Sequence, residues 1–113
     1  MAATINIGIY KVGEIPAPIV VTLEDSDEVA LNLSGYTAKW VYRRADGTSV
    51  TNAASLVSGG TTGQTTYTWA DDDFEEPGNY EGEMWAGNGT NRFTSVTYSW
   101  KVIPAVADTT PAI

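Results

Sequence analysis

The chain has 113 residues, of which 14 are acidic and 6 basic, and it contains neither histidine nor cysteine. Its net charge of −8 argues against nucleic acid and anionic membranes as partners. The absence of histidine and cysteine removes the usual general base near neutral pH, the commonest metal ligands, disulfides and a thiol nucleophile, so we expect no enzyme, no metal site and no cofactor.

A chain of this length suits one domain with one hydrophobic core. Apolar runs are only a few residues long, so no segment is expected to span a bilayer. Residues 1–6 have neither a basic start nor a continuous apolar run, which predicts no secretory signal.

The first part of the chain predicts short strands separated by breaks. Thr4–Tyr10 alternates, with isoleucine at Ile5, Ile7 and Ile9, and residues 1–14 therefore form either a first strand or an arm. Prolines interrupt the pattern before Ile19–Leu23 resumes it. The polar turn Asp25–Glu28 then predicts a return through Val29–Leu33, as a hairpin or a short corner.

The clearest alternation is Tyr36–Arg43, which predicts a strand with Trp40 at the centre of the core. Asp46-Gly47 is typical of a tight turn, so Ser49–Val57 should return antiparallel to that strand. A glycine-rich segment, Gly59–Gly63, predicts a second turn.

The pattern predicts two strands joined by an acidic corner, over Thr65–Trp69 and Asn79–Trp85. In that corner Asp71 is expected to cap a single turn above a buried Phe74. Tyr80 follows Gly78 by two residues, which is the tyrosine-corner position of an immunoglobulin-type fold.

A turn at Gly87–Gly89 leads into a last predicted strand, Arg92–Ile103, which Pro104 ends. We therefore predict an all-β fold: an antiparallel, immunoglobulin-like β-sandwich of seven to eight strands over residues 15–103, followed by a C-terminal arm, 104–113. The expected inward side chains are Trp40, Tyr67, Trp69, Phe74, Tyr80, Met84, Tyr98 and Trp100.

Five runs in this order resemble a known domain: PIVVTLED from Pro18, LNLSGYTAKW from Leu31, RADGT from Arg44, YTWA from Tyr67 and EPGNYEGE from Glu76. Together they are similar to the small immunoglobulin-like domain of phage baseplate upper proteins and minor tail proteins. In that family the domain often leads a longer chain, whereas this sequence stops after it. The resemblance therefore implies a stand-alone virion component made in the bacterial cytoplasm, with other virion proteins and copies of itself as partners.

Two groups of carboxylates are candidate chemical sites. The acidic residues between Asp71 and Glu76 could supply oxygen ligands to calcium, but they lack the spacing of a calcium loop, and capping with solvation explains them better. Glu81 and Glu83 could imitate a glycosidase pair, but two acids on one strand rarely flank a substrate from both sides.

An exposed tryptophan beside these two acids suits a protein interface as well as a glycan. By alternation Trp85 lies with Glu81 and Glu83, so it is the tryptophan expected on the outside. The candidate interface residues are Ile5, Ile7, Ile9, Glu81, Glu83, Trp85, Val106 and Ile113. We expect a non-catalytic structural subunit of a phage tail or baseplate. The alternatives are a capsid decoration protein and a module that binds host-surface glycan through Trp85.

Overall fold

The computed structural model describes residues 4–106, where eight strands form one curled, mixed sheet and no α-helix occurs. The strands are β1 (Thr4–Lys11), β2 (Ile19–Thr22), β3 (Thr37–Arg43), β4 (Ser49–Leu56), β5 (Gln64–Tyr67), β6 (Gly78–Gly87), β7 (Arg92–Thr94) and β8 (Thr97–Ile103). Their order across the sheet is β1-β8-β6-β3-β4-β5-β2, and β7 pairs with β6. The all-β prediction is confirmed.

The sheet curls at β4. The first part of that strand pairs with β3, up to Ala54 beside Ala38, and its last two residues pair with β5. Because β5 is thereby brought over β3, the ring of Tyr67 stacks on that of Trp40 with 5.9 Å between centroids. The core lies inside this curl.

One part of the fold prediction is wrong. The arrangement is not purely antiparallel, because β1 runs parallel to β8, from Thr4 beside Thr97 to Lys11 beside Ile103. A parallel pair needs a long connection, and here nearly the whole domain separates the two strands. Alternation within β1 shows that it is a strand but says nothing about the direction of its partner.

The predicted core is largely present. Trp40, Phe74 and Met84 are fully buried, and the remaining predicted residues are also buried except Tyr98, which is only partly covered. The aromatic rings contact one another throughout, with Trp69 edge-on to Trp40 at 5.7 Å between centroids. Burial of such large rings is the main stabilising contribution expected in a chain of this size.

The segment Val29–Leu33 is not a strand. It makes only an isolated bridge between Glu24 and Ala30. The Asp25 carboxylate accepts hydrogen bonds from the backbone N–H groups of Asp27 and Val29, which closes the turn. Backbone bonds from the N–H of Asp25 to the carbonyl of Val29 and from the N–H of Leu31 to the carbonyl of Leu23 make this segment a short hairpin, one of the two expected forms.

The expected last strand is broken in two at Ser95. Its backbone N–H donates to the carbonyl of Met84, while its hydroxyl accepts from the N–H of Met84 at 2.9 Å. The Ser95 hydroxyl oxygen thus takes the place of a backbone carbonyl as the acceptor for the Met84 N–H. The regular pairing of β7 ends here, and the chain resumes as β8. In the part of the chain that the structure describes, no helix is long and apolar enough to cross a membrane.

Candidate functional site: the outer face of the sheet

The candidate site is the side of β3, β6 and β8 that points away from the core, together with Arg92 and Ile9 beside it. We call this surface the outer face. Alternation along each strand places it opposite the buried tryptophans. Its cross-strand pairs between β3 and β6 are Lys39 with Trp85, Val41 with Glu83, and Arg43 with Glu81.

Glu81 is held in an ion pair. Its carboxylate contacts the guanidinium of Arg43 on the neighbouring strand, and the two side chains remain 46% and 59% exposed. Exposed pairs of this kind contribute roughly 0–1 kcal/mol to stability. The pair therefore orders two side chains on the surface without being a major determinant of the fold.

Glu83 fixes the orientation of Trp85. One carboxylate oxygen accepts the indole N–H of Trp85 at 2.9 Å, and the other accepts the hydroxyl of Thr97 at 3.4 Å. The guanidinium of Arg92 lies over the Trp85 ring, 5.5 Å from its centroid. Trp85 is the tryptophan on the outside, as expected, but it is half-buried and one ring face is covered.

Within residues 4–106 the depressions of the outer face are open rather than enclosed. Three open depressions adjoin on it: the middle one shares Arg43 and Glu81 with one neighbour and Val41 with the other. Enclosed pockets that bury most of a ligand are the usual form of small-molecule sites. A continuous open surface with charged and apolar side chains instead suits a macromolecular contact.

The candidate interface residues are divided among several places. Glu81, Glu83 and Trp85 lie together on the outer face. Ile9 joins them, since it lies beside Lys101 and is 65% exposed.

The remaining candidate residues lie elsewhere. Ile5 is beside Tyr98 and is 44% exposed, and Ile7 is half-buried, with its carbonyl accepting the hydroxyl of Tyr10. Val106 is almost fully exposed beyond β8. Ile113 lies outside the described residues.

The acidic corner contains a feature that the sequence did not reveal. Asp73, rather than Asp71, ties the turn together, because its carboxylate accepts the backbone N–H of Ala70 at 2.8 Å. The same buried carboxylate accepts the hydroxyls of Tyr42 and Tyr67, both at 2.6 Å. Burial, followed by the hydrogen bond to Asp73, raises the pKa of each tyrosine.

This arrangement also bears on the calcium alternative. Asp73 points into the core while Asp71 and Asp72 are exposed, so the carboxylates diverge. Among residues 4–106 no group of three or more acidic side chains is placed to hold a metal ion.

Sequence reasoning also missed the basic residues of the outer face. Lys39, Arg43, Arg92 and Lys101 line its depressions. Alternation places Lys39 and Arg43 on one face of β3, but only the order of the strands shows that this face adjoins Trp85 and Lys101. Comparison of the sequence with models of known protein families finds no match, and a search of curated proteins finds no relative.

Proposed function

We propose that this chain is a non-catalytic structural subunit of a bacteriophage virion, built into the tail or baseplate in several symmetric copies. It is made in the host cytoplasm, and its partners are other virion proteins and further copies of itself. The observation that carries the proposal is the outer face, an open surface that combines charged side chains with Trp85, Val41 and Ile9 and suits a macromolecular contact.

The proposal includes an immunoglobulin-like sandwich. β8, β6 and β3 lie in the order of strands G, F and C of that fold, and β2 pairs with β5 as strand B pairs with E. Trp40 lies on the strand equivalent to C, and Tyr80 makes its corner bond at the start of the strand equivalent to F. These positions support the resemblance to the phage domain, because they fall within its matching runs.

The N-terminal segment supports a contact at the sheet edge. Thr4–Lys11 already occupies the chain's own sheet as β1, so what it offers a neighbour is its free edge. The register of β1 shifts between Asn6 and Ile9, a bulge that divides the strand into two regular parts, residues 4–6 and 9–11.

The glycan alternative is weakened by the surroundings of Trp85. A sugar stacks on an open aromatic face, whereas Arg92 covers one face of this indole and Glu83 already accepts its N–H. If Trp85 nevertheless binds glycan, an array of host-surface glycans will retain the wild-type chain and lose the Trp85→Ala variant.

The test is mass spectrometry of purified phage particles separated into heads and tails. The proposal predicts the chain in the tail fraction at a constant ratio to the tail subunits. Recovery in the head fraction would assign it to capsid decoration, and absence from both would overturn the structural assignment. Chains lacking residues 1–8 or 104–113 are expected to lose occupancy, and full occupancy would show that the termini are not needed for docking.

A further inference from the structure

The charges of this chain are segregated on its surface. Four of the six basic residues, Lys39, Arg43, Arg92 and Lys101, lie on the outer face. Of the acidic residues within 4–106, only Glu81 and Glu83 lie there with them. The outer face is therefore positive on a chain whose net charge is −8.

Little of this positive charge is neutralised locally. Within residues 4–106 the one ion pair joins Arg43 to Glu81, so no carboxylate of that range pairs with Lys39, Arg92 or Lys101. Glu83 is instead engaged with the indole of Trp85. Unpaired cations beside a half-buried tryptophan favour an acidic partner with some apolar surface.

The chain itself carries such a partner on its other side. The segment Glu24–Val29, which we call the acidic loop, contains four carboxylates and is exposed at every residue. Its shape is fixed, since Asp25 accepts two backbone N–H groups and Glu28 has a positive φ of 62°. At its end Val29 is 59% exposed, which supplies an apolar contact.

The acidic loop is placed away from the outer face of its own chain. It follows β2, which pairs with β5, and the curl brings β5 over the core side of β3, so the loop and the outer face lie on opposite sides of the core. Contact between the acidic loop and the outer face therefore joins two copies. Two outer faces placed against each other would instead bring like charges together.

We propose that the acidic loop of one copy docks on the outer face of the next. Its carboxylates lie against Lys39 and Arg92, and Val29 packs on Val41 and the accessible part of Trp85. Because the two surfaces differ, the contact is heterologous and generates a ring or an open stack. The inference deepens the proposed function, on which it rests, by naming the contact between neighbouring copies.

The first test is the salt dependence of self-association, measured by sedimentation velocity. We expect oligomers at ~50 mM NaCl whose affinity falls at least ~10-fold at ~0.5 M NaCl, because ions screen exposed charges. A chain that stays monomeric at low salt up to on the order of 0.5 mM protein would overturn the inference.

Charge reversals locate the two surfaces. Lys39→Glu on the outer face should weaken association at least ~10-fold, whereas Lys11→Glu, the same charge change at the end of β1, should leave it within about twofold. On the other side Asp27→Lys should weaken association, and Asp72→Lys in the exposed acidic corner should not. Equal effects of test and control variants would contradict the assignment.

The decisive experiment mixes the two reversed variants. Lys39→Glu and Asp27→Lys should each associate poorly alone and recover association together, because the unchanged acidic loop of the first variant then meets the unchanged outer face of the second, and the two reversed charges face each other at the next contact. Failure of the mixture to recover would show that the two surfaces do not meet. Association in solution and presence in particles are separate readouts. If the chain is present in particles but monomeric in solution, this contact alone is refuted. If the chain associates in solution but is missing from particles, the virion role alone is refuted.

Discussion

The hydroxyl of Tyr80 donates a 2.7 Å hydrogen bond to the backbone carbonyl of Glu76. The bond ties the start of β6 to the acidic corner before it, and the Tyr80 ring stacks on Trp100 with 5.7 Å between centroids. One side chain thus links the corner to the aromatic core. The corner and β6 are therefore expected to unfold together.

Removing this hydroxyl should destabilise the domain. Tyr80→Phe keeps the ring and leaves the Glu76 carbonyl without its partner, which should lower the free energy of unfolding by ~1–1.5 kcal/mol. Urea titration measures the difference. The matched control is Tyr98→Phe, which should stay within about 0.5 kcal/mol of wild type, because the Tyr98 hydroxyl makes no hydrogen bond within residues 4–106 and burial is what raises its pKa. Equal losses in both variants would contradict a specific corner bond.

The Asp73 carboxylate should be a strong determinant of stability. In the wild-type chain the carboxylate accepts bonds from two tyrosine hydroxyls and from the N–H of Ala70. Asp73→Asn replaces one acceptor oxygen by an N–H₂ group, so at least one of these donors faces another donor. We expect a loss of ~2–3 kcal/mol by urea unfolding. Asp72→Asn, next to it but exposed, should change stability by less than about 0.5 kcal/mol. A large effect at Asp72 with none at Asp73 would refute this account of the corner.

The same network predicts loss of stability at alkaline pH. Burial and the hydrogen bond to Asp73 raise the pKa of Tyr42 and Tyr67 above the ordinary value of 10.0. The folded state therefore keeps these protons when the unfolded state has lost them. Their contribution is fully present below about pH 10 and is lost as the pH rises further.

Urea unfolding between about pH 8 and about pH 11 measures this dependence. The wild-type free energy of unfolding should fall more steeply above pH ~10 than that of Tyr67→Phe, which lacks one of the two groups. Identical slopes would mean that the hydroxyl of Tyr67 is not protected in the folded state.

Gly82 is required by the packing of the tryptophans. A Cβ atom at this position would lie 2.8 Å from Cζ2 of Trp40 and 3.0 Å from Cη2 of Trp100. Gly82→Ala should therefore destabilise the domain by ~1–3 kcal/mol through overpacking. Gly87→Ala is the control on the same strand, since its nearest contact would be 3.4 Å. Thermal unfolding of both variants checks the difference, and an unchanged Gly82→Ala variant would contradict it.

Short-range patterns in the sequence were enough to predict much of the fold. Alternation identified β3 with Trp40 inside, and Asp46-Gly47 identified its turn, where the N–H of Arg44 donates to the carbonyl of Thr48. Alternation also predicted that Trp85 faces outward. These features depend on residues close in sequence, so a single chain is sufficient to recognise them.

What the sequence did not show depends on contacts between distant segments. The direction of β1 is set by β8, and the burial of Asp73 is set by Tyr42, 31 residues away. An aspartate in an acidic run resembles its exposed neighbours until the fold brings tyrosines to it. The positive outer face is hidden in the same way, because its four cations come from three different strands.

Cross-linking of intact phage particles tests the central claim most directly. A carbodiimide, which joins amines to carboxylates, followed by mass spectrometry should join Lys39 or Lys101 to a neighbouring subunit in washed particles. In the isolated chain at high salt the same lysines should form no link to a second chain. Absence of the chain from washed particles, or equal reactivity of both lysines in particles and in isolation, would contradict a virion subunit that docks through its outer face.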